Sequence, residues 1–371
     1  MIPVNEPSIG ERELELVSDC VRSGWISSAG RYLEEFEWRW AEYCGMKHGV
    51  AVSSGTAALD VAVSCLELQA GDEVILPSFT IISCAQAITK HGGVPVLVDS
   101  DPETWCLDVH EVEARITGHT RAIMPVHMYG HPADMDPLRE LAVRHGLVII
   151  EDAAQAHGAE YKGRPCGGLG DISCFSFYAN KIITTGEGGM VLTNDDGWAA
   201  HCRAYRNLCF REDRRFYHEE LGENYRMTNM QAALGVAQLD RIDEIVAHKR
   251  AMAAAYTERL RSCDALQLPT EREWARSTFW MYGVVLKDGG RGAAGLAAGL
   301  AKRLQERGVQ TRPFFLGMHE QPVFHRMGLF AGEEYPVTEM LAQFGLYLPS
   351  GTALTEGQVE RVSAVMLESV S

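Results

Sequence analysis

The chain has 371 residues, of which 46% are hydrophobic and 23% charged, and this length predicts one large domain and one smaller domain. Its formal net charge of −16 argues against non-specific binding to nucleic acids or acidic membranes, because both would repel it. No run of about 18 apolar residues and no secretion-signal pattern is present, so we expect a cytoplasmic protein.

From about residue 50, short apolar runs alternate with longer amphipathic runs. The runs predicted to be strands are "GVAVSS", "EVILPS", "VPVLVD", "RAIMPVHM", "LVIIEDA", "ISCFSF" and "GMVLTND". Helices are predicted between most of them, as in "TAALDVAVSCLEL", "IISCAQAITKHG" and "MDPLRELAVRHG", the last two with a glycine suited to a helix C-terminus. This alternation predicts an α/β domain with a mainly parallel sheet covered by helices on both faces. Ligands of such sheets gather at the C-terminal ends of the strands.

The pattern changes after one or two long helices predicted at about 228–262. A smaller α+β segment follows, with strands at "FWMYGVVL" and "VQTRPFF" and closing helices near 294–307 and 355–368. We therefore predict a large domain over 1–245, including an N-terminal arm, and a small C-terminal domain over 246–371.

The ten cysteines are scattered and include no C-x-x-C pair. A zinc knuckle or a redox dithiol is therefore not expected. We interpret the cysteines as reduced, with several serving as small apolar residues.

Three features follow strands of the predicted large domain. In "VSSGTAAL", small residues including Gly55 and Thr56 lie where a helix begins, and unpaired N–H groups there suit a phosphate. An ordinary helix cap is the alternative.

In "GLVIIEDAAQAHGA", Glu151 and Asp152 end a strand, so that one carboxylate can project into the crevice while the other fixes a loop. Such an acid can protonate a heteroaromatic nitrogen, bind a metal or simply cap a helix.

The third feature is "SCFSFYANK". Its alternation places Cys174, Ser176 and Tyr178 on one face if the strand extends that far, and Lys181 comes just after it. A lysine desolvated in a crevice is the amine needed for a Schiff base with an aldehyde, although most single lysines are surface charges. The following "TTGEGGM" matches neither common nucleotide-binding glycine motif and is interpreted as a turn. A phosphate cradle, an acid and a lysine together are the set that pyridoxal 5′-phosphate (PLP) requires.

Seven longer motifs cover nearly the whole chain. They are "GWISSAGRYLEEFE", "SSGTAALDVAV", "GDEVILPSFT", "PVHMYGHPADMD", "IIEDAAQAHGAEYKGRPCGGLGDISCFSFYANKIITTGEGGMVLTND", "GENYRMTNMQAALGVAQL" and "RPFFLGMH". With these motifs the sequence resembles the nucleotide-sugar aminotransferases of the DegT/DnrJ/EryC1/StrS family. The resemblance implies a fold-type-I, aspartate-aminotransferase-like homodimer with PLP at the subunit interface.

The resemblance also implies roles for individual residues. Lys181 would bind the cofactor aldehyde and shuttle the proton, Asp152 would keep the pyridine nitrogen protonated, and Gln155 would lie near the ring 3-oxygen. The residues implied to hold the phosphate are Gly55, Thr56 and Ser176, with Asn224 reaching it from the neighbouring subunit.

One position departs from the family pattern. After "PSFT" the family usually has an aromatic residue that stacks on the cofactor ring, whereas this chain has Ile81. Either Ile81 covers that face of the ring or Phe79 replaces the aromatic residue. We favour Ile81, because it occupies the matching position.

The motifs "GWISSAG", "PVHMYG" and "RPFFLGMH" most resemble the branch that aminates C4 of 4-keto-6-deoxy sugars, above all GDP-linked ones, with L-glutamate as amino donor. His127, Arg312 and His319 are candidates for sugar or glutamate contacts; the alternatives are buried structural histidines and a surface ion pair. A UDP- or dTDP-linked 4-keto or 3-keto sugar is the competing substrate. A sugar dehydratase of the family is a further alternative, but the resemblance implies histidine in place of Lys181 for such an enzyme. A non-catalytic binding protein is disfavoured, because it would not need both Lys181 and Asp152. No metal is expected.

Overall fold

The computed structural model describes residues 1–211, 213–287 and 296–370. Within these ranges the strands form a seven-stranded, a four-stranded and a three-stranded sheet. None of the helices in these ranges combines the length and the apolar character needed to span a membrane.

The strands are short, with at most five residues each. They are β1 (His48–Val52), β2 (Glu73–Pro77), β3 (Val94–Val98), β4 (Thr120–Ile123), β5 (Val148–Asp152), β6 (Glu160–Tyr161), β7 (Arg164–Pro165), β8 (Ile172–Ser176), β9 (Gly189–Thr193), β10 (Leu266–Gln267), β11 (Ala275–Arg276), β12 (Gly283–Leu286), β13 (Arg312–Pro313) and β14 (Gly345–Tyr347).

The helices vary more in length. They are α1 (Glu11–Ser23), α2 (Arg31–Tyr43), α3 (Gly55–Ser64), α4 (Ser83–Lys90), α5 (Val109–Val112), α6 (Met135–His145), α7 (Asp196–Tyr205), α8 (Asn229–Leu239), α9 (Ile242–Leu260), α10 (Ala297–Glu306), α11 (Pro322–Arg326), α12 (Pro336–Phe344) and α13 (Glu356–Val370). Short 3₁₀ turns occur at Glu113–Arg115, Met128–Gly130 and Met318–Glu320.

The seven-stranded sheet has the order β1-β9-β8-β5-β4-β2-β3. Its neighbours are parallel except at β9, which is antiparallel to both β1 and β8. Strands buried on both faces should be almost continuously apolar, and all five residues of β9 are indeed buried. The predicted α/β class with a mainly parallel sheet is confirmed.

Local sequence signals set several helix ends. The Ser54 side chain caps α3 by accepting a hydrogen bond from the Ala57 N–H at 3.1 Å. Gly146, at φ 66°, ends α6 in the left-handed conformation that glycine adopts readily. The predicted helical stretch at 228–262 consists of two helices, α8 and α9.

The four-stranded sheet has the order β10-β12-β14-β13 and is antiparallel throughout. It shares a second apolar core with α9, α10 and α13, which includes the buried side chains of Tyr256, Leu300 and Val362. Of the predicted helix at 294–307, the structure gives Ala297–Glu306, and residues 294 and 295 lie outside the described ranges. The predicted domain boundary near 245 falls inside α9 and stays a prediction.

Candidate active site

A cleft of about 350 Å³ lies where β5 and β8 end and α3 begins. A cleft of this size is in the range that accommodates small ligands. The predicted cofactor residues that line it are Gly55, Thr56, Ile81, Asp152, Gln155, Ser176 and Lys181. The fold therefore brings together seven residues that are spread over 127 positions of the chain.

The start of α3 forms one end of this cleft. Its first N–H groups, those of Gly55 and Thr56, have no acceptor within the helix, and the N-terminal end of a helix favours an anion. The Ser176 side chain lies directly opposite, because a Cβ on Gly55 would come within 2.5 Å of the Ser176 Cβ. Only glycine at position 55 lets the helix start and the end of β8 approach this closely. The two elements together form a cradle of the size and polarity of a phosphate.

Asp152 ends β5 and is almost completely buried in the floor of the cleft. One carboxylate oxygen accepts the Ala154 N–H at 3.0 Å, and the other accepts the Cys84 S–H at 3.1 Å. Burial raises the pKa of Asp152 above its ordinary value, although these two donors and the Lys181 charge act in the opposite direction. The carboxylate therefore has room for a further cationic partner in the cleft.

Glu151 faces the opposite side of the same strand. Its carboxylate accepts the N–H groups of Gly167, of Leu169 at 2.8 Å and of Gly170 at 2.9 Å, and it contacts His127 Nε2 at 2.8 Å. Burial alone would raise the pKa of Glu151, but these hydrogen bonds hold it below its ordinary value. Glu151 thus fixes the 167–170 loop while Asp152 lies in the cleft, which is the arrangement expected for two adjacent carboxylates at this strand end.

Lys181 follows β8 in a turn in which its N–H donates to the Tyr178 carbonyl at 2.9 Å. Its Nζ lies 3.8 Å from the centre of the Trp280 ring. Burial lowers the pKa of Lys181 to about 8, against the opposing effect of the Asp152 carboxylate. About a tenth of this amine is therefore unprotonated at pH 7, far more than for a lysine of ordinary pKa, as a nucleophilic amine requires.

The side chains of Gln155 and Ile81 complete the part of the cleft around Asp152. The Gln155 amide oxygen accepts the Tyr129 N–H at 2.9 Å, which leaves the amide NH₂ group to donate. Ile81 is 39% exposed and lines the cleft. Phe79 is fully buried and packs against Phe314, with the ring centres 5.7 Å apart. Of the two side chains considered for the cofactor face, the structure places Ile81 in the cleft.

The remaining predicted site residues do not line the cleft. His127 is fully buried, and because its Nδ1 accepts the Ala133 N–H at 2.9 Å, its Nε2 is left to donate to Glu151. His319 is also buried and lies 2.8 Å from the Ser78 hydroxyl. These positions match the alternative of buried structural histidines. Arg312 is exposed on β13, opposite Tyr347 of β14, whose ring lines the cleft.

Asn224 is exposed on the segment that precedes α8 and does not line the cleft of its own chain. Its backbone pairs with Asn207. This position is compatible with the role implied for it, which requires the side chain to reach another subunit.

Sequence reasoning missed several residues that line the cleft, among them Asn180, Glu187, Trp280, Phe315 and Tyr347. Asn180 and Glu187 flank Lys181 in sequence, and this proximity was a signal that they belonged to the site. The three aromatic residues lie about 100 or more positions from Lys181. Trp280 and Phe315 fall in segments predicted as strands of the small domain, and no element was predicted around Tyr347. Only the tertiary fold brings them to the cleft.

The family model described as "DegT/DnrJ/EryC1/StrS aminotransferase family" matches residues 7–367. The chain belongs to this family. Among curated relatives, the aminotransferase is 44% identical to a GDP-perosamine synthase of Caulobacter vibrioides, over 98% of this chain and 97% of the relative. It is 40% identical to a GDP-perosamine synthase of Escherichia coli O157:H7, over 96% and 95%. It is 37% identical to a dTDP-3-amino-3,4,6-trideoxy-alpha-D-glucose transaminase of Streptomyces venezuelae, over 97% and 94%.

Solved structures agree with this assignment. The aminotransferase shares 37% identity and a TM-score of 0.88 with S. venezuelae DesV in complex with a ketimine intermediate, over 97% of this chain and 94% of that chain. It shares 25% identity and a TM-score of 0.91 with a putative sugar aminotransferase from Streptococcus pneumoniae in its PLP form, over 100% of both chains. The protein is thus a PLP-dependent nucleotide-sugar aminotransferase, as the sequence motifs indicated.

The hydrogen-bond donors and acceptors that line the cleft of the aminotransferase match those of PLP. The N–H groups at the start of α3 and the Ser176 hydroxyl suit the phosphate, and the buried Asp152 carboxylate suits a protonated ring nitrogen. Lys181 lies at the same cleft with a depressed pKa, as an amine that binds an aldehyde should. None of these three matches depends on the family comparison.

Proposed function

We propose that the enzyme transfers the amino group of L-glutamate to C4 of GDP-4-keto-6-deoxymannose and so forms GDP-perosamine. The observation that carries this proposal is the identity of 44% and 40% to two GDP-perosamine synthases over almost the full chain. The competing proposal is a dTDP- or UDP-linked keto sugar aminated at C3 or C4, and the 37% identity to the S. venezuelae transaminase favours it.

The roles of the cleft residues follow from their positions. Bound PLP supplies the electron sink and carries the amino group from one substrate to the other. Lys181 would hold the cofactor aldehyde and, as a free amine, would move a proton at the reacting carbon. Asp152 holds the proton on the ring nitrogen, and the start of α3 with Ser176 anchors the phosphate. We propose Arg312 as a binding residue for an anionic group of a substrate, because it lies beside the cleft residue Tyr347.

His127 and His319 are buried, and the ring nitrogens of both are engaged in hydrogen bonds. We therefore propose that they support the cleft from outside it. On this basis, His127→Gln should destabilise the fold while changing the KM for each substrate by less than about threefold, which lies within the range of indirect effects.

The cofactor assignment to Lys181 is tested by absorbance. The enzyme purified with PLP should show a band at roughly 400–430 nm, from cofactor bound to a lysine, and Lys181→Ala should lack it. Addition of glutamate alone should shift this band as the cofactor accepts the amino group. Absence of the band from the wild-type enzyme would contradict the role of Lys181.

The substrate assignment is tested with a panel of GDP-, UDP- and dTDP-linked keto sugars, each incubated with glutamate and enzyme. Product formation is scored by the mass change on exchange of a carbonyl oxygen for an amino group. We expect turnover of GDP-4-keto-6-deoxymannose at the highest kcat/KM. Turnover of UDP- or dTDP-linked sugars with none of the GDP-linked sugar would refute the proposal.

We also propose a homodimer with shared active sites. Large apolar side chains are exposed on and beside the N-terminal helices, including Trp25 at 59% and Trp38 at 62%, and exposed apolar surface of this kind marks interfaces. Asn224 lies outside its own cleft, as a residue that serves the neighbouring subunit should.

A complementation experiment tests both parts of this proposal. Asn224→Ala and Lys181→Ala are each expected to be inactive, but a mixture reassorted through mild denaturation should regain activity. In the mixed dimer, one site combines Lys181 of one subunit with Asn224 of the other. Persistently inactive mixtures that sedimentation shows to contain mixed dimers would refute a shared site.

A further inference from the structure

Lys249 is a buried lysine, and none of the ion pairs among the described residues involves it. It lies on α9, and its side chain is enclosed in the protein, with 1% of the residue exposed. Its Nζ donates to the Trp280 carbonyl at 2.7 Å and to the Ser350 carbonyl. Burial of a lysine is costly, and burial lowers the pKa of Lys249 to about 7. The cost of burying this amine indicates that its two hydrogen bonds have a structural or functional role.

The two carbonyls belong to separate segments beside the small sheet. Trp280 precedes β12, and Ser350 follows β14. Further hydrogen bonds join the same segments: the Tyr282 N–H donates to the Ser350 hydroxyl at 2.9 Å, and the Leu348 N–H donates to the Tyr282 carbonyl at 3.0 Å. The Lys249 amine therefore links the start of one strand to the end of its neighbour.

The Trp280 side chain reaches the reacting amine. The ring centre lies 3.8 Å from Lys181 Nζ, and the indole N–H donates to the carbonyl of Asn180 at 2.7 Å. The backbone before it is unusual, because Phe279 has a φ of +47°, which is rare for a residue with a side chain. A segment in such a conformation needs external contacts to hold it. Lys249 supplies one at the carbonyl of the residue whose indole covers the amine.

We propose that Lys249 is a positioning residue for the chemistry at Lys181: it ties the Trp280 and Ser350 carbonyls together and so holds the indole over the Lys181 amine. This inference rests on the proposed role of Lys181 as the amine that binds the cofactor. The indole excludes water from the amine and fixes its direction. Lys249 acts only through Trp280 and touches no substrate.

Desolvation is the property of Lys181 that the indole should control. Within the described residues, the titratable groups that interact electrostatically with Lys181 are Asp152 and His157. Burial lowers the pKa of His157 to about 3, so this ring is neutral at ordinary pH. Replacement of Lys249 by methionine leaves both groups in place. A looser indole admits water, and the pKa of Lys181 then rises from about 8 towards its ordinary value of 10.5.

The test measures the pKa of Lys181 in the cofactor-free enzyme. The rate of labelling of this lysine by acetic anhydride is followed against pH, with peptide mass spectrometry as readout. In Lys249→Met we expect the pKa to rise by about one unit or more, which lowers the unprotonated fraction at pH 7 by about tenfold. Trp280→Leu should give a similar rise, and the double variant should add little to either.

A matched control separates positioning from general loss of stability. Met252→Ala removes another buried side chain one turn along α9 and should lower the unfolding temperature without moving the Lys181 pKa. If Lys249→Met does not fold, Lys249→Gln, whose shorter side chain keeps an amide NH₂ group but loses the charge, is measured in its place. An unchanged or lower Lys181 pKa in the Lys249 variant overturns the proposal. Failure of the PLP band in the wild-type enzyme would instead overturn the role of Lys181 itself.

Discussion

Substitution of Gly55 by alanine should weaken the binding of PLP, and only the contacts to the phosphate should be affected. The added Cβ would lie 2.5 Å from the Ser176 Cβ and 3.0 Å from its hydroxyl oxygen, where ordinary contacts are 3.4 Å or more. The start of α3 and the end of β8 must therefore separate by about 1 Å, at an overpacking cost of about 1–3 kcal/mol. Loss of one hydrogen bond to a charged phosphate costs about 1.5–3 kcal/mol, which corresponds to roughly 10- to 150-fold weaker binding.

The assay is a titration of the cofactor-free enzyme with PLP and, separately, with pyridoxal, which lacks the phosphate. Gly55→Ala should bind PLP about 10- to 150-fold more weakly and pyridoxal almost as the wild type does. Gly118→Ala is the matched control, since a Cβ at this exposed glycine meets no atom within 4 Å. Equal weakening of both ligands, or no weakening of either, would refute the assignment of this end of the cleft to the phosphate.

Three further substitutions test the rest of the cleft. Asp152→Asn should keep the unfolding free energy near that of the wild type but lower kcat at least ~100-fold. Glu151→Gln should lose about 2–3 kcal/mol of unfolding free energy in urea denaturation, because an amide cannot accept all of the donors around Glu151. Equal stability of the two variants would contradict this assignment. Cofactor-free Lys181→Met should have a higher melting temperature than the wild type at pH 7. This difference should shrink between pH 8 and 10.5, because in that range only the unfolded state of the wild type keeps the lysine proton. A constant difference would count against desolvation of Lys181. Ile81→Tyr should slow PLP release about 2- to 10-fold in dilution experiments if position 81 stacks on the ring, and an unchanged rate would exclude that contact.

The sequence was sufficient for the part of the site that depends on strand ends. Strands of a parallel sheet deliver their last residues to one edge, so Asp152 and Ser176 could be predicted to meet without knowledge of the strand order. The extent of β8 was less predictable. The alternation allowed a strand that reached Tyr178, but β8 ends at Ser176, and Tyr178 is 47% exposed beyond it.

The rest of the site could not be predicted, because it depends on how the small sheet lies against the large one. Trp280 and Tyr347 occur in short strands or beside them, and nothing in their local sequence distinguishes a residue that lines a cleft from a core aromatic. The side chains of the two predicted histidines lie outside the cleft for a related reason. His127 follows β4 near the same sheet edge, but the fold turns its ring towards Glu151 and away from the opening.

Asp152 and Glu151 show how one buried strand supplies both a structural and a chemical carboxylate. The two are adjacent and equally buried, yet the pKa of Asp152 is raised and that of Glu151 is lowered. Residue type and depth cannot explain this difference. Glu151 contacts the His127 ring and also faces a loop that supplies three backbone N–H donors, whereas Asp152 receives one N–H and one weak thiol donor. Burial therefore raises the pKa of Asp152 because few donors oppose it, and a protonated ring nitrogen in the cleft would supply the missing donor.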